Sequence, residues 1–189
     1  MAKISLQCQR MATVASEYCT FIDGFSGQYY GAGRHVHWLM RLEKLLPRLH
    51  VAVIALAGRI ESVNSYQVYN DDQRCELFLH LIAAIQADQN LWVAYEASGT
   101  RQQSRQELCE CMADNLADMY FDLKYGLDLI RENPAHAASE WQRSFYAHWG
   151  KHLLHAECWL HAVDAGDEPP HLPEWRWPDM LSYTTTSPA

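Results

Sequence analysis

Three aspartates, Asp114, Asp118 and Asp122, recur every four residues, and further along the chain His148, His152 and His155 recur at comparable spacing among aromatic side chains. Carboxylates and imidazoles are the groups that exchange protons near neutral pH and that hold divalent ions. On a helix a four-residue step turns the side chain by only about 40°, so each set forms one slightly slanted stripe. The histidine stripe shares its azimuth with Trp141 and Trp159 and runs beside Phe145, Trp149 and Val163. An imidazole buried there without a partner costs about 1–3 kcal/mol, and an opposed carboxylate would supply that partner.

Such a cluster of Asp114, Asp118, Asp122, His148 and His152 has three chemical meanings. It is a structural hydrogen-bonded network, a metal site, or an acid–base pair working without metal. As a metal site it would use His148 and His152, at the i, i+4 spacing that suits one ion, with Asp118 or Asp122 completing the set. The chain carries no H-E-x-x-H, no paired E-x-x-H and no nucleophile elbow. Glu76 and His80 form a lone i, i+4 pair and read as a surface contact. No cofactor is expected, and a divalent metal is the one ligand the cluster itself suggests.

The elements that must position these residues are helical, because Ala, Leu, Gln and Glu dominate between the breaks and alternating β-branched runs are rare. A first helix lies within Gln9 to Asp23 and ends at Gly24. The following stretch, GFSGQYYGAGR, has no G-x-x-x-x-G-K-[ST] and no preceding strand, so it is a connector. A helical pattern from Arg34 is broken or kinked at Pro47 before a second run. A loop over 65–70 leads to a long helix from Asp71 to Glu96. Ser104 followed by Glu107 is a capping box, and it opens a helix reaching about Glu132. Asn133-Pro134 then ends that helix and starts another, which runs to about Val163.

The last two helices are therefore a short-looped antiparallel pair. Counting outward from the turn puts Asp118 level with His148, Asp114 level with His152, and Asp122 level with Phe145. The two stripes meet if their faces are turned toward each other.

At 189 residues the chain fits one domain, and its net charge of −8 disfavours nucleic acid and anionic lipid. Arg34, Arg41, Lys44 and Arg48 have helical spacing around Glu43 and read as a solvated face. Gln7, Gln9 and Arg10 interrupt any leader-like apolar core, and Val51 to Ala57 is too short to span a bilayer. The six cysteines are dispersed, the one close pair being C-E-C, which implies free thiols and a cytoplasmic setting. After Gly166 the prolines of DEPPHLPEWRWP forbid a regular helix, while Trp175 and Trp177 favour an extended tail laid on the bundle.

The succession LADMYFDLKYGL, then Trp141, then HWGKHLLHA resembles a bacterial family of unknown function, the DUF5063 domain. That family's pattern reads approximately D-x-L-x-D-x-Y-x-D-L-K-x-G-L, then W-x-x-x-F, then H-W-G-x-H. The matching positions are Asp114, Leu116, Asp118, Tyr120, Asp122, Leu123, Lys124, Gly126, Trp141, Phe145, His148, Trp149, Gly150 and His152, whereas His155 lies outside it. The resemblance implies an all-α bundle and a bacterial, cytoplasmic protein, and it implies no activity.

The expectation is thus an all-α single bundle of about six helices over 1–165, with an extended tail over 166–189. Two functions compete. The first is a non-catalytic interaction or regulatory module with a structural Asp–His network, whose acidity suits a protein partner with a basic surface. The second is a metal-dependent hydrolase using Asp118, Asp122, His148 and His152. A water-accessible cleft at the cluster would favour the enzyme, and a dry, fully paired cluster would favour the interaction module.

Overall fold

A computed structural model describes residues 4–26, 38–56, 70–88, 91–92 and 104–165. Among them there is no strand, and the chain is an all-α bundle. The helices are α1 (Leu6–Ser26), α2 (Trp38–Ile54), α3 (Asp71–Gln86), α4 (Arg105–Leu129), α5 (Pro134–Ser144) and α6 (Gly150–Ala165). A π-helical turn, Phe145–Trp149, joins α5 to α6, so 134–165 is one continuous helix. The segment after Gly24–Ser26, the loop before Asn70 and the tail over 166–189 fall outside the described residues.

Helix α4 occupies the centre. It packs on α1, α3, α5 and α6, while α2 bridges α1 and α6 on the far side. The apolar stripe of α4, Leu108, Met112, Leu116, Met119 and Leu123, is wholly buried with Met11, Tyr18 and Ile22 of α1 and Leu42, Leu46 and Leu49 of α2. Each such side chain contributes about 1.5–3 kcal/mol by leaving water. Two tyrosines tie this core to polar partners: the Tyr18 hydroxyl donates to the Leu116 carbonyl at 2.8 Å, and Tyr120 donates to Asp23 at 2.7 Å. All six cysteines are free thiols.

The helix ends follow local chemistry. Ser104 Oγ accepts from the Glu107 amide at 3.2 Å while the Glu107 carboxylate accepts from the Ser104 amide at 2.6 Å, which completes the capping box. Asn133 caps α5 by accepting from the His136 amide, and Pro134 occupies its first turn.

Two boundaries differ from the sequence expectation. α1 begins earlier and passes through Gly24, and α3 stops at Gln86 rather than continuing to Glu96. The second has a clear cause. Asp88, 3% exposed, takes the Leu91 amide on Oδ1 and the Trp38 indole N–H on Oδ2, so its carboxylate caps a new turn instead of extending the old one. Pro47 stands on the exposed side of α2, which continues through it unbroken.

Candidate metal centre

Helices α3 and α6 flank α4 without packing extensively on each other, which leaves the polar stripe of α4 at the bottom of the furrow between them. Asp118 and Asp122 are buried, whereas Asp114, His148 and His152 are partly exposed. The α6 side of the furrow is set by the π-helical turn. There the Gly150 amide bonds the Phe145 carbonyl, one residue further back than in an α-helix, and the extra residue re-aims the turn that carries His148.

Two glycines hold this arrangement. A Cβ on Gly150 would lie 2.5 Å from the Phe145 carbonyl oxygen, so the wide turn needs a residue without a side chain. A Cβ on Gly126 would lie 2.0 Å from the Trp141 indole nitrogen, which donates to the Leu123 carbonyl at 3.1 Å. That contact brings α5 close to α4 just before the histidines.

The aspartate and histidine stripes do face each other, but one turn out of the expected register. His148 Nδ1 lies 2.6 Å from Asp122 Oδ2, and His152 Nε2 lies 3.3 Å from Asp118 Oδ2. Among the described residues Asp114 bonds no histidine, and Asp122 meets His148. The reason is the tilt of helical side chains toward their own N-terminus. In an antiparallel pair that tilt carries the α4 side chains away from the connecting turn and the α6 side chains toward it, so both partners carry higher numbers than equal depth predicts. The extra residue of the π turn adds to the shift.

A cation missed in the sequence reading organises the acidic stripe. Arg74 of α3 donates through Nε to Asp118 Oδ1 and through Nη2 to Asp114 Oδ1, each at 2.6 Å. Burial alone would lower the affinity of that guanidinium for its proton, but the two carboxylates outweigh it and hold Arg74 firmly charged. Burial, followed by the neighbouring Asp118 charge, raises the Asp114 pKa despite Arg74. Arg74 is the one Lys or Arg in α3, but nothing in the sequence ties that helix to the acidic ladder.

Asn115, 3% exposed, was also missed, although it stands at i, i+3, i+7 with Asp118 and Asp122. Its Oδ1 lies 2.9 Å from His152 Nδ1, and its Nδ2 lies 3.1 Å from His155 Nδ1 and 3.8 Å from Cys111 Sγ. His152 therefore has a polar neighbour at each ring nitrogen. Burial pushes its pKa down to about 4, with Asp118 opposing only in part, so the ring is neutral at pH 7.

Among the described residues, Asp118, His148 and His152 form a group whose ligand atoms lie within 4.8 Å of one another. The two imidazoles stand edge to face with centroids 5.0 Å apart. With His148 Nδ1 turned to Asp122 and His152 Nδ1–H donating to Asn115, Nε2 is the nitrogen of each ring that is left for another partner. Asp122 therefore stands behind His148, on its Nδ1, and outside the group of three.

These positions coincide with the D-x-L-x-D-x-Y-x-D and H-W-G-x-H segments, and the sequence pattern of the domain of unknown function DUF5063 matches residues 2–166. The chain belongs to the DUF5063 family. A solved structure, protein BF1032 from Bacteroides fragilis, a structural genomics target, shares the fold with a TM-score of 0.58 at 18% identity, covering 92% of this chain and 98% of that one. No curated protein matches this member of the family. None of its described helices is long and apolar enough to cross a membrane.

Proposed function

We propose that this DUF5063 protein is metal-dependent, with a zinc-class divalent ion held by Asp118 Oδ2 and by Nε2 of His148 and His152. The observation that carries the reading is the outer support of the two rings: a carboxylate on one Nδ1 and a carboxamide oxygen on the other, each directing its lone pair inward. The spacing is also right. Bonds of about 2.0–2.1 Å at a tetrahedral ion put neighbouring ligand atoms about 3.3 Å apart, the separation of Asp118 Oδ2 and His152 Nε2.

Charge supports the same reading. The imidazoles aside, three carboxylates against one guanidinium leave two negative charges in excess, which one divalent ion cancels. Three protein ligands leave a fourth position open, as catalytic rather than structural zinc sites do, and an ion so held activates water or polarises a carbonyl or phosphoryl oxygen. The activity that follows is metal-dependent hydrolysis.

The test is metal content and stability on untagged protein. One equivalent of ion, a melting temperature lowered by a chelator and restored by zinc, and loss of both in Asp118→Asn are expected. Unchanged metal content in Asp118→Asn and His152→Ala overturns the assignment. A second reading, an interaction module for a protein partner, is favoured by an apolar groove of about 700 Å³ between α1 and α2, walled by Leu6, Val14, Pro47, Val51 and Ala52.

A further inference from the structure

We infer that Asn115 is the positioning residue of the ion site and that its carboxamide passes the state of that site to a second centre, the Cys111–His155 thiol–imidazole pair. The inference rests on the ion site proposed above and deepens it. Asn115 is buried between the two centres, with one end of its amide on His152 and the other on His155 and Cys111. Cys111 Sγ in turn lies 3.6 and 3.7 Å from the two ring nitrogens of His155.

An amide has an accepting end and a donating end, so it cannot treat its two neighbours alike. With Oδ1 toward His152, that ring carries its proton on Nδ1 and presents the Nε2 lone pair to Asp118. Without a cation this sets a lone pair against a carboxylate oxygen at 3.3 Å, which is repulsive. An ion between them converts the repulsion into two metal–ligand bonds.

In ion-free protein the repulsion is relieved by turning the amide over. Nδ2 then donates to His152 Nδ1, the ring proton moves to Nε2, and Nε2–H donates to Asp118. The same turn reverses the far end. With the ion bound, Asn115 Nδ2 donates to His155 Nδ1, so His155 is protonated on Nε2, and the second amide N–H is directed at the Cys111 sulfur. Without it, Asn115 Oδ1 accepts from His155 Nδ1–H, and the thiol becomes a donor. No net proton is gained or lost: each histidine moves its single ring proton from one nitrogen to the other.

The two states are read directly by nitrogen-15 chemical shifts of the histidine rings, recorded at neutral pH with and without zinc, alongside zinc affinity by titration calorimetry. In the native protein His155 should be the Nδ1–H tautomer without zinc and the Nε2–H tautomer with it. Asn115→Leu should weaken zinc by about 10–100-fold, the usual cost of losing such a support. Asn115→Asp should restore the affinity, because its carboxylate accepts from His152, while holding His155 in the Nδ1–H form whether or not zinc is present. Zinc binding at the native affinity with an unmoved His155 tautomer overturns the coupling and leaves the ion site standing. Failure of zinc to bind the native protein overturns both. Should Asn115→Leu fail to fold, the tautomer measurement on native protein decides alone.

Discussion

Along α4, one face buries Leu108, Met112, Leu116, Met119 and Leu123 in the core, and the other carries Asp114, Asn115, Asp118 and Asp122 into the furrow between α3 and α6. The first face is specified by volume and exclusion of water, and neighbours of similar size could replace its members. The second is specified by hydrogen-bonding direction. Particular oxygens face particular partners: Asp118 gives Oδ1 to Arg74 and Oδ2 to the side of His152, and Asp122 gives Oδ2 to His148. A core needs only the first kind of face, so the second is where function is to be sought.

Substitutions should separate the two faces. Leu116→Ala, at a wholly buried position, should cost about 2–5 kcal/mol in urea unfolding while the folded fraction keeps its zinc affinity. A parallel fall in affinity would show that the core and the site are not independent.

Gly150→Ala should cost about 1–3 kcal/mol and weaken zinc binding as well, because the added Cβ meets the Phe145 carbonyl and closes the π turn that aims His148. A stable variant with native zinc affinity would remove the π turn from the account.

Asp122→Ala and His148→Ala should each cost about 1–3 kcal/mol, and the double variant should cost less than their sum by about 0.5–3 kcal/mol. Additive effects would mean that the 2.6 Å contact carries no coupling.

The smallest effect is a pH slope in metal-free protein. His152 stays neutral down to about 4 in the fold against an ordinary 6.5, and burial lowers His155 in the same direction. Between those values the unfolded chain binds a proton that the folded chain does not. Stability should therefore be complete above pH about 6.5 and decline as pH falls toward 4, with Asp114, whose pKa is raised, opposing at the acid end. His152→Gln should flatten the slope. An equally steep slope in that variant would locate the responsible group elsewhere.

Much of this molecule could be read before its structure was known. The capping box at Ser104 and the Asn133-Pro134 turn depend on neighbours within a few residues, and both stand as the sequence indicates. The opposition of aspartates and histidines was legible too, because both stripes follow from helical period. Three features were not. The register of the pair depends on side-chain tilt and on an extra residue in the π turn, for which Gly150 was the one visible sign. Arg74 reaches the site from a helix remote in sequence. Asn115 looked like an ordinary helix residue until its two histidine neighbours were known.

The central claim is that Asp118, His148 and His152 hold one ion, and anomalous X-ray scattering from zinc-equilibrated crystals tests it most directly. The account predicts one strong peak per chain within about 2.0–2.2 Å of Asp118 Oδ2 and of Nε2 of both histidines, absent in crystals of Asp118→Asn. A well-ordered cluster without a peak, or a peak held by other side chains, would contradict it.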